Sequence, residues 1–547
     1  MSAVDYIALE LFMQPLEDFI LGHSRLALAR LGIDPDQDAP RWIDVKCDLS
    51  SITARSGGNP VDATTAIDAG YLSFIAHNAL NPVLGYDVYP GTLVRLRDTS
   101  SNETLWTGAL DDIDVAYEKQ SDDYTVTINA SDAIRELKAT MVRGAPGDID
   151  ATNPPVHRID DRVEQLAAAA NVTTDLDSPA HGWVTQSASL GAWERFGTRP
   201  TGYNYGPVDA ENRLFINDTI DAVRESISMT SGQFGMQRLA TGLTIGTIYR
   251  FYALIGVGSG SGSVWNFDES LATFAVGTDS GERSIGVQVA HNGRKRYAVA
   301  EVIFKATSTT RRLRVFRDYT GELPHTDVTY NIGYGLLEQW QPGSPLLPLQ
   351  PVAYQSNAYN HLVMAADSAG QPWHIDRLGR LATKPAAAPR ADLSDQHSSA
   401  STHLCYVDVD AGYSTSDTVN TLDIDNRGRQ PSHEQADAWI VHEEPHTLTS
   451  PASVARYRPR PMNLATQLPD ALLPGRANAI FTTHDTPHET IRSITVEADK
   501  QPLARSLELG DRITARFRDI SSTYRIAGIA HHITPRRHRI TYETRTS

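Results

Sequence analysis

The stretch Val441-His442-Glu443-Glu444-Pro445-His446 carries an H-E-x-x-H spacing. On a helix, two histidines four apart ligate zinc and the adjacent glutamate acts as general base in peptide hydrolysis. That chemistry fails here if Pro445 is read as it stands. A proline inside a helix removes a hydrogen bond and clashes with the preceding turn, at a cost of about 3 kcal/mol, and it biases Glu444 towards extended geometry. Ala438-Trp439-Ile440-Val441 has the β-branched and aromatic character of a strand, and Thr447 to Ser453 shows no helical apolar spacing. The stretch reads as a strand running into a loop.

Other catalytic signatures fare no better. There is no G-x-S-x-G and no P-loop glycine run. Glycoside hydrolysis needs two carboxylates across a cleft, and no pair stands out among the 66 acidic residues. His531-His532 suggests a metal site, but adjacent side chains in a strand point to opposite faces, so one faces in and the other out. No catalytic residue, metal ligand or cofactor is expected.

The 547-residue chain is long enough for several cores. A net charge of −17 argues against a surface built to coat nucleic acid. The same charge suits a wall past which a polyanion slides. Arg536-Arg537-His538-Arg539 reads as a solvated hairpin tip. Cys47 and Cys405 stand far apart and form no disulfide framework. The acidic N-terminal stretch lacks the basic-then-apolar pattern of a signal peptide, and no apolar run reaches membrane-spanning length. Folding in a reducing cytoplasm is the expectation.

Strand patterns dominate. Residues 8–13, 26–31, 93–96, 124–128, 249–255 and 312–316 alternate or are rich in β-branched and aromatic residues. The spacing predicts two helices. One covers 159–170, with Val163, Leu166 and Ala170 on one stripe behind leading acids, and the other covers 357–368. Gly256 to Ser263 and Pro385 to Ser401 read as soft loops or linkers.

An internal repeat joins the two ends of the chain. Gly91 to Ser101, Trp106 to Gly108 and Tyr124 to Ile128 correspond in order to Gly510 to Ser522, Arg525 to Gly528 and His538 to Thr544. Each set reads as a Gly-led strand, an Arg-Asp and Ser-Ser turn, a strand around a glycine, and a last strand. Two copies of a small meander or barrel are expected.

With these elements in place a resemblance becomes visible. Pro40 to Ile52 (PRWIDVKCDLSSI) and Leu72 to Pro82, followed by Pro90 to Arg97, resemble the opening of minor tail proteins from long-tailed phages of actinobacteria. Trp373 to Leu381 resembles their D-x-x-G-R-L hairpin. Asp417 to Ile424 is similar to D-x-V-N-x-V-x-V, and Ser453 to Tyr457 to S-I-A-R-Y. The ending, Leu509 to Ile513 and Gly528 to Pro535, resembles L-G-D-x-V with G-I-x-H-x-I-T-P. The matches keep their order over residues 1–178 and 352–547. The resemblance implies a baseplate hub, a homotrimer that closes the tail tube between a distal tail protein ring and a central fibre. Its other neighbours would be the tape measure protein and further minor tail proteins, and DNA would pass without specific binding. Such a protein is made in the host cytoplasm and resides at the virion tail tip.

The middle of the chain resembles something else. Gly246 to Ala253, Glu301 to Thr307 and Asn331 to Pro348 are similar to strands of jelly-roll carbohydrate-binding modules, although the aspartate usual before the last strand is glycine or tyrosine here. Alternation assigns Tyr249, Phe251, Ala253 and Ile255 to the core. Trp193, Tyr203, Tyr205, Tyr252, Trp265 and Tyr334 remain as candidates to stack on a host-surface glycan.

The expectation is a mainly β protein of five parts: an N-terminal hub barrel (1–145), a helical connection (146–180), an inserted jelly roll (181–349), a helix-and-hairpin part (350–430) and a C-terminal hub barrel (431–547). The function expected is structural. A hexameric distal tail protein, or a cell-wall glycan hydrolase with a binding module, are the alternatives.

Overall fold

The computed structural model describes residues 6–13, 41–45, 48–58, 64–81, 88–119, 123–143, 157–176, 182–185, 189–196, 223–227, 232–259, 274–281, 283–284, 287–292, 295–319, 328–350, 352, 355–384, 387–396, 398–413, 418–431, 439–487, 489–518 and 520–546. Thirteen strands form one continuous sheet. Seven come from the N-terminal part: β1 (Ile7–Met13), β2 (Arg41–Asp44), β3 (Asp48–Gly57), β4 (Tyr71–His77), β5 (Leu93–Asp98), β6 (Glu103–Tyr117) and β7 (Tyr124–Ser131). Six come from the C-terminal part: β8 (Ala391–Ser394), β9 (His403–Tyr413), β10 (Glu489–Glu497), β11 (Arg512–Phe517), β12 (Ile520–Thr534) and β13 (Arg537–Thr546).

The neighbour order is β2-β1-β5-β6-β7-β4-β3-β12-β11-β8-β9-β10-β13, and β13 returns to pair with β12. The last six strands therefore close a barrel. The first seven curl around a single core containing Leu9, Leu11, Phe74, Val94, Trp106 and Ile128. Strand β4 shows why: its buried residues, Leu72, Phe74 and Ala76, alternate with more exposed ones.

The repeat read from the sequence is a repeat of structure. The order β3-β4-β7-β6-β5-β1 in one unit corresponds to β9-β10-β13-β12-β11-β8 in the other. The Gly91 N–H donates to Leu110 O and the Leu110 N–H to Thr92 O, at 2.8 and 2.9 Å. The Gly510 N–H donates to Ile526 O and the Ile526 N–H to Asp511 O, at 2.9 and 2.9 Å. Gly91 and Gly510 both have positive φ, +94° and +81°, the conformation glycine adopts without penalty. The register breaks between Leu110 and Asp112 in β6 and between Ile526 and Gly528 in β12, so a bulge sits at the equivalent place. This frame corrects the sequence alignment in one respect: Gly108 is not the counterpart of Gly528. Gly528 corresponds to Asp112, and Gly108 to Tyr524.

The units differ in how the sixth strand lies. β8 runs parallel to both β11 and β9 and closes its barrel. β1 runs antiparallel to β5 and carries β2 on its far side. The edge of β3 that β1 leaves open pairs with β12 of the other unit, from Ile52 opposite Ile533 to Gly57 opposite Gly528. At 15 residues β12 is long enough for two partners along one edge: its first half pairs with β11 and its second half with β3.

Several expectations are revised. The soft stretch Pro385 to Ser401 holds β8, whose Ala391 and Leu393 are buried. The barrel's strands come from 391–413 and 489–546, on both sides of residue 430. Strand Trp439–Thr449 runs straight through the H-E-x-x-H stretch, with Pro445 opposite Asp425, instead of ending before it. It lies at the edge of its three-stranded sheet, where proline is tolerated. Four residues along a strand span roughly 13 Å, which separates the backbones of His442 and His446 too far for one zinc. The hairpin tip is Pro535-Arg536, but His538 in the basic run is fully buried.

The two predicted helices fall where the spacing places them, and further helices not read from the sequence include Leu473–His484. α1 (Ile159–Ala169) buries Ile159, Val163 and Leu166, with Asp160 and Asp161 in its first turn. α2 (Ala358–Ala369) starts where the Asn357 side chain accepts the Asn360 N–H and ends at Gly370 with φ +78°. Both share a core with Trp373 and Leu381. Between them stand two antiparallel sheets of a β-sandwich, one centred on Ile248–Ser259 and Val328–Trp340, the other on Gly232–Thr241 and Thr310–Tyr319. Tyr249, Phe251 and Ala253 are buried there; the Ile255 side chain and the 26–31 stretch lie outside the described residues.

Gly57 stands at the seam with φ +66°, and a Cβ there would lie 2.5 Å from Ala527 O. Gly57→Ala should destabilise the chain by at least about 1–2 kcal/mol from backbone strain alone, with backbone contact adding more. Urea unfolding monitored by tryptophan fluorescence measures it, with Gly242→Ala, where a Cβ meets nothing, as the strained but uncrowded control.

Candidate functional site

The two barrel units meet in a buried polar network. Tyr6, ahead of β1, donates its hydroxyl to Asp499 Oδ1 at 2.6 Å. Its oxygen lies 3.2 Å from His538 Nδ1, and His538 Nε2 lies 3.0 Å from His531 Nδ1. The tyrosine proton is committed to the carboxylate, so His538 must donate from Nδ1. Its Nε2 is then left to accept from His531 Nδ1. The chain of donors runs His531, His538, Tyr6, Asp499. Asp499 Oδ2 also accepts the His538 backbone N–H at 2.9 Å. Arg505 covers the Tyr6 ring, its guanidinium carbon 4.1 Å from the centroid, and pairs with the buried Asp98 at 2.9 Å.

Burial dominates the electrostatics. His538 is held down to about 4, against the opposing pull of Asp499. His531 lies well below the ordinary histidine value, from burial first and then from His538. Burial, reinforced by Asp499, pushes the Tyr6 phenol above its usual range. All three groups are therefore neutral at neutral pH, burial outweighing the pull of Asp499 on His538.

The D-x-x-G-R-L hairpin is the second clamp. Strands Trp373–Ile375 and Leu381–Thr383 pair across a turn in which the Asp376 carboxylate accepts the Leu378 and Arg380 N–H groups, at 2.9 and 2.8 Å. Gly379 supplies the φ of +78°. The turn presents Arg377 between the units: it donates to Arg505 O and Leu507 O at 2.8 and 2.7 Å and pairs with Glu103 and Glu508. Thr107 of β6 donates to Arg377 O at 2.8 Å. In the L-G-D turn the buried Asp511 carboxylate accepts Lys384 and Arg390, both at 2.6 Å, tying the strand before β8 to the barrel. Beside the hairpin a cleft of about 380 Å³ is lined by Glu103, Asp175, Asp376, Arg377, Arg380 and Lys384. Its acids are engaged by arginine and lysine. The arrangement locks two bodies together, and no nucleophile with an attendant base is assembled there.

Of the glycan candidates, Tyr252 is the one whose side chain lies among the described residues. Tyr252 is half-buried on Ile248–Ser259, with Arg250 5.0 Å from its ring centroid. Trp193 and Tyr334 lie on strands whose side chains at those positions are outside the described residues, as are Tyr203, Tyr205 and Trp265 altogether. His531 is buried and His532 exposed, as alternation requires. Sequence reading missed Tyr6, Asp98, Asp499 and Arg505. Tyr6 and Asp499 are 493 positions apart, and no local pattern marks either.

No protein-family model matches the chain, and no curated protein does. Among solved structures it is similar to the 43 kDa tail protein of prophage MuSo2 from Shewanella oneidensis, at 7% identity and a TM-score of 0.40 over 99% of this chain and 96% of that one. It is also similar to a tail protein from Neisseria meningitidis MC58, at 9% identity and a TM-score of 0.42 over 98% and 96%. Likeness this slight carries no argument about function.

The histidine network predicts acid lability. Unfolded, both imidazoles titrate near 6.5; folded, they resist protonation. The contribution of His538 is complete above about pH 6.5 and is lost as pH falls towards about 4. Thermal midpoints across this window should fall in the native chain and fall less in His538→Gln.

Proposed function

We propose that the chain is a structural protein of a bacteriophage tail tip, a hub whose three copies close into an annulus continuous with the tail tube. The observation that carries this reading is the duplication: one chain holds two units of equivalent strand order, one closed into a barrel and one left open, joined where β3 pairs with β12. A tail tube is sixfold and a central fibre threefold. Three chains, each with two units of equivalent strand order, offer six similar faces on one side and three copies of everything else on the other. The motifs of tail-tip proteins, kept in order over both barrels, point the same way.

In this reading the annulus meets a distal tail protein ring above and the central fibre or other minor tail proteins below. The tape measure protein and then DNA pass through it. A net charge of −17 suits a wall that does not hold the DNA. The inserted sandwich projects outward and is the part available for a host glycan. A six-chain distal ring is disfavoured because it needs only one barrel per chain.

Native mass spectrometry of the purified chain tests the stoichiometry. The expected species has three times the 59.9 kDa chain mass. Six chains would transfer the assignment to the distal ring.

A further inference from the structure

We infer that two open strand edges, Ile113–Tyr117 of β6 and Val407–Gly412 of β9, pair with each other between neighbouring copies of the chain. This deepens the annular reading above and rests on it. The starting point is the pairing already present within the chain. The second half of β12 receives β3 of the other barrel unit. The strand equivalence maps β12 onto β6 and β3 onto β9. Ile529, His531 and Ile533 correspond to Ile113, Val115 and Tyr117, because each set follows the equivalent bulge and faces the equivalent partner. Ile52 corresponds to Val409, because Phe74 and Ile494 stand opposite them.

Within the chain, β12 gives its edge to β3. At the equivalent place on β6, none of the described strands pairs beyond Ala109 on the β5 side. β9 likewise pairs with β8 only from His403 to Cys405. The N–H directions agree with this. Glu118 donates to Asp123 across the β7 side, so by alternation Ile113, Val115 and Tyr117 direct their N–H groups to the open edge. On β9 the Val409 N–H turns away from β10 to the adjacent Asp408 carboxylate at 3.0 Å, a local bond that pairing with Tyr117 would replace.

The side chains fit as well. The inherited register sets Val409 opposite Tyr117 and Asp410 opposite Ala116, keeping apolar residues on one face and placing the aspartate against alanine. Tyr117 is 57% exposed and Val407 52% exposed. Ile533, the counterpart of Tyr117, is 4% exposed and belongs to the core of the unit that docks on it. Tyr117 of one copy would play the same part for the C-terminal barrel of the next. The contact is head-to-tail, so repetition generates a ring when its rotation closes.

Two variants test it. Val115→Pro deletes an N–H that points to the open edge, a position where a strand tolerates proline. The barrel should keep its circular dichroism while the mass drops from three chains to one. In a Cys47→Ser/Cys405→Ser background, Tyr117→Cys with Val409→Cys should form inter-chain disulfides on mild oxidation, and neither substitution alone should. An oligomer that survives Val115→Pro and is not linked by the cysteine pair overturns the edge pairing while leaving the annular reading standing. A chain that is monomeric and unlinked at every concentration overturns both.

Discussion

A strand edge left open inside a fold exposes N–H and C=O groups that must find partners, and the seam between β3 and β12 is where this chain meets that requirement. Among the described residues the N-terminal unit does not close on itself: β1 pairs with β5 and β2 and leaves the edge of β3 to another partner. Its open edge is satisfied by the far half of β12. Several of the features that fix the two units together gather along this seam. The bulge at Ile526 to Gly528 turns β12 from one partner to the other, Gly57 makes room for the close backbone approach, and Arg55 pairs with Glu543 across it at 2.9 Å. That ion pair is partly exposed and contributes little by itself. The backbone pairing and the shared Ile533 are what bind.

The polar network behind the seam has a different effect. Asp98 and Arg505 are buried as a pair, and truncating one partner of such a pair typically costs about 3–5 kcal/mol because the other charge is stranded. A network of this kind adds little net stability when intact, yet it penalises any other relative placement of the units. The hairpin bearing Arg377 does the same from the other side by reading the main-chain carbonyls of residues 505 and 507. Holding two units at one fixed angle calls for such a constraint more than for additional hydrophobic area.

The legible part of the sequence was the local part. Alternation placed β5, β7 and the core face of Ile248–Ser259. Capping and apolar stripes placed α1 and α2. The D-x-x-G-R-L hairpin and the L-G-D turn were read through the resemblance, and in the structure each rests on a side-chain carboxylate and a positive-φ glycine. What escaped reading was non-local. β8 was hidden because PAAAPRADLSDQHSSAS has a linker's composition, and four residues suffice for a closing strand. His538 looked solvated because its neighbours are arginines, whereas alternation turns it alone inward. The misplaced Gly108 match shows how a repeat can be seen correctly and aligned wrongly, since only the bulges reveal which residues are equivalent.

Two units of equivalent strand order per chain, in the proposed assembly of three chains, should build a ring with an open axis. End-on electron-microscope averages of the purified assembly test it most directly. The account predicts an annulus with a central hole and six similar lobes arranged with threefold symmetry. A compact particle without a hole, or lobes of a single kind related by sixfold symmetry, would contradict it.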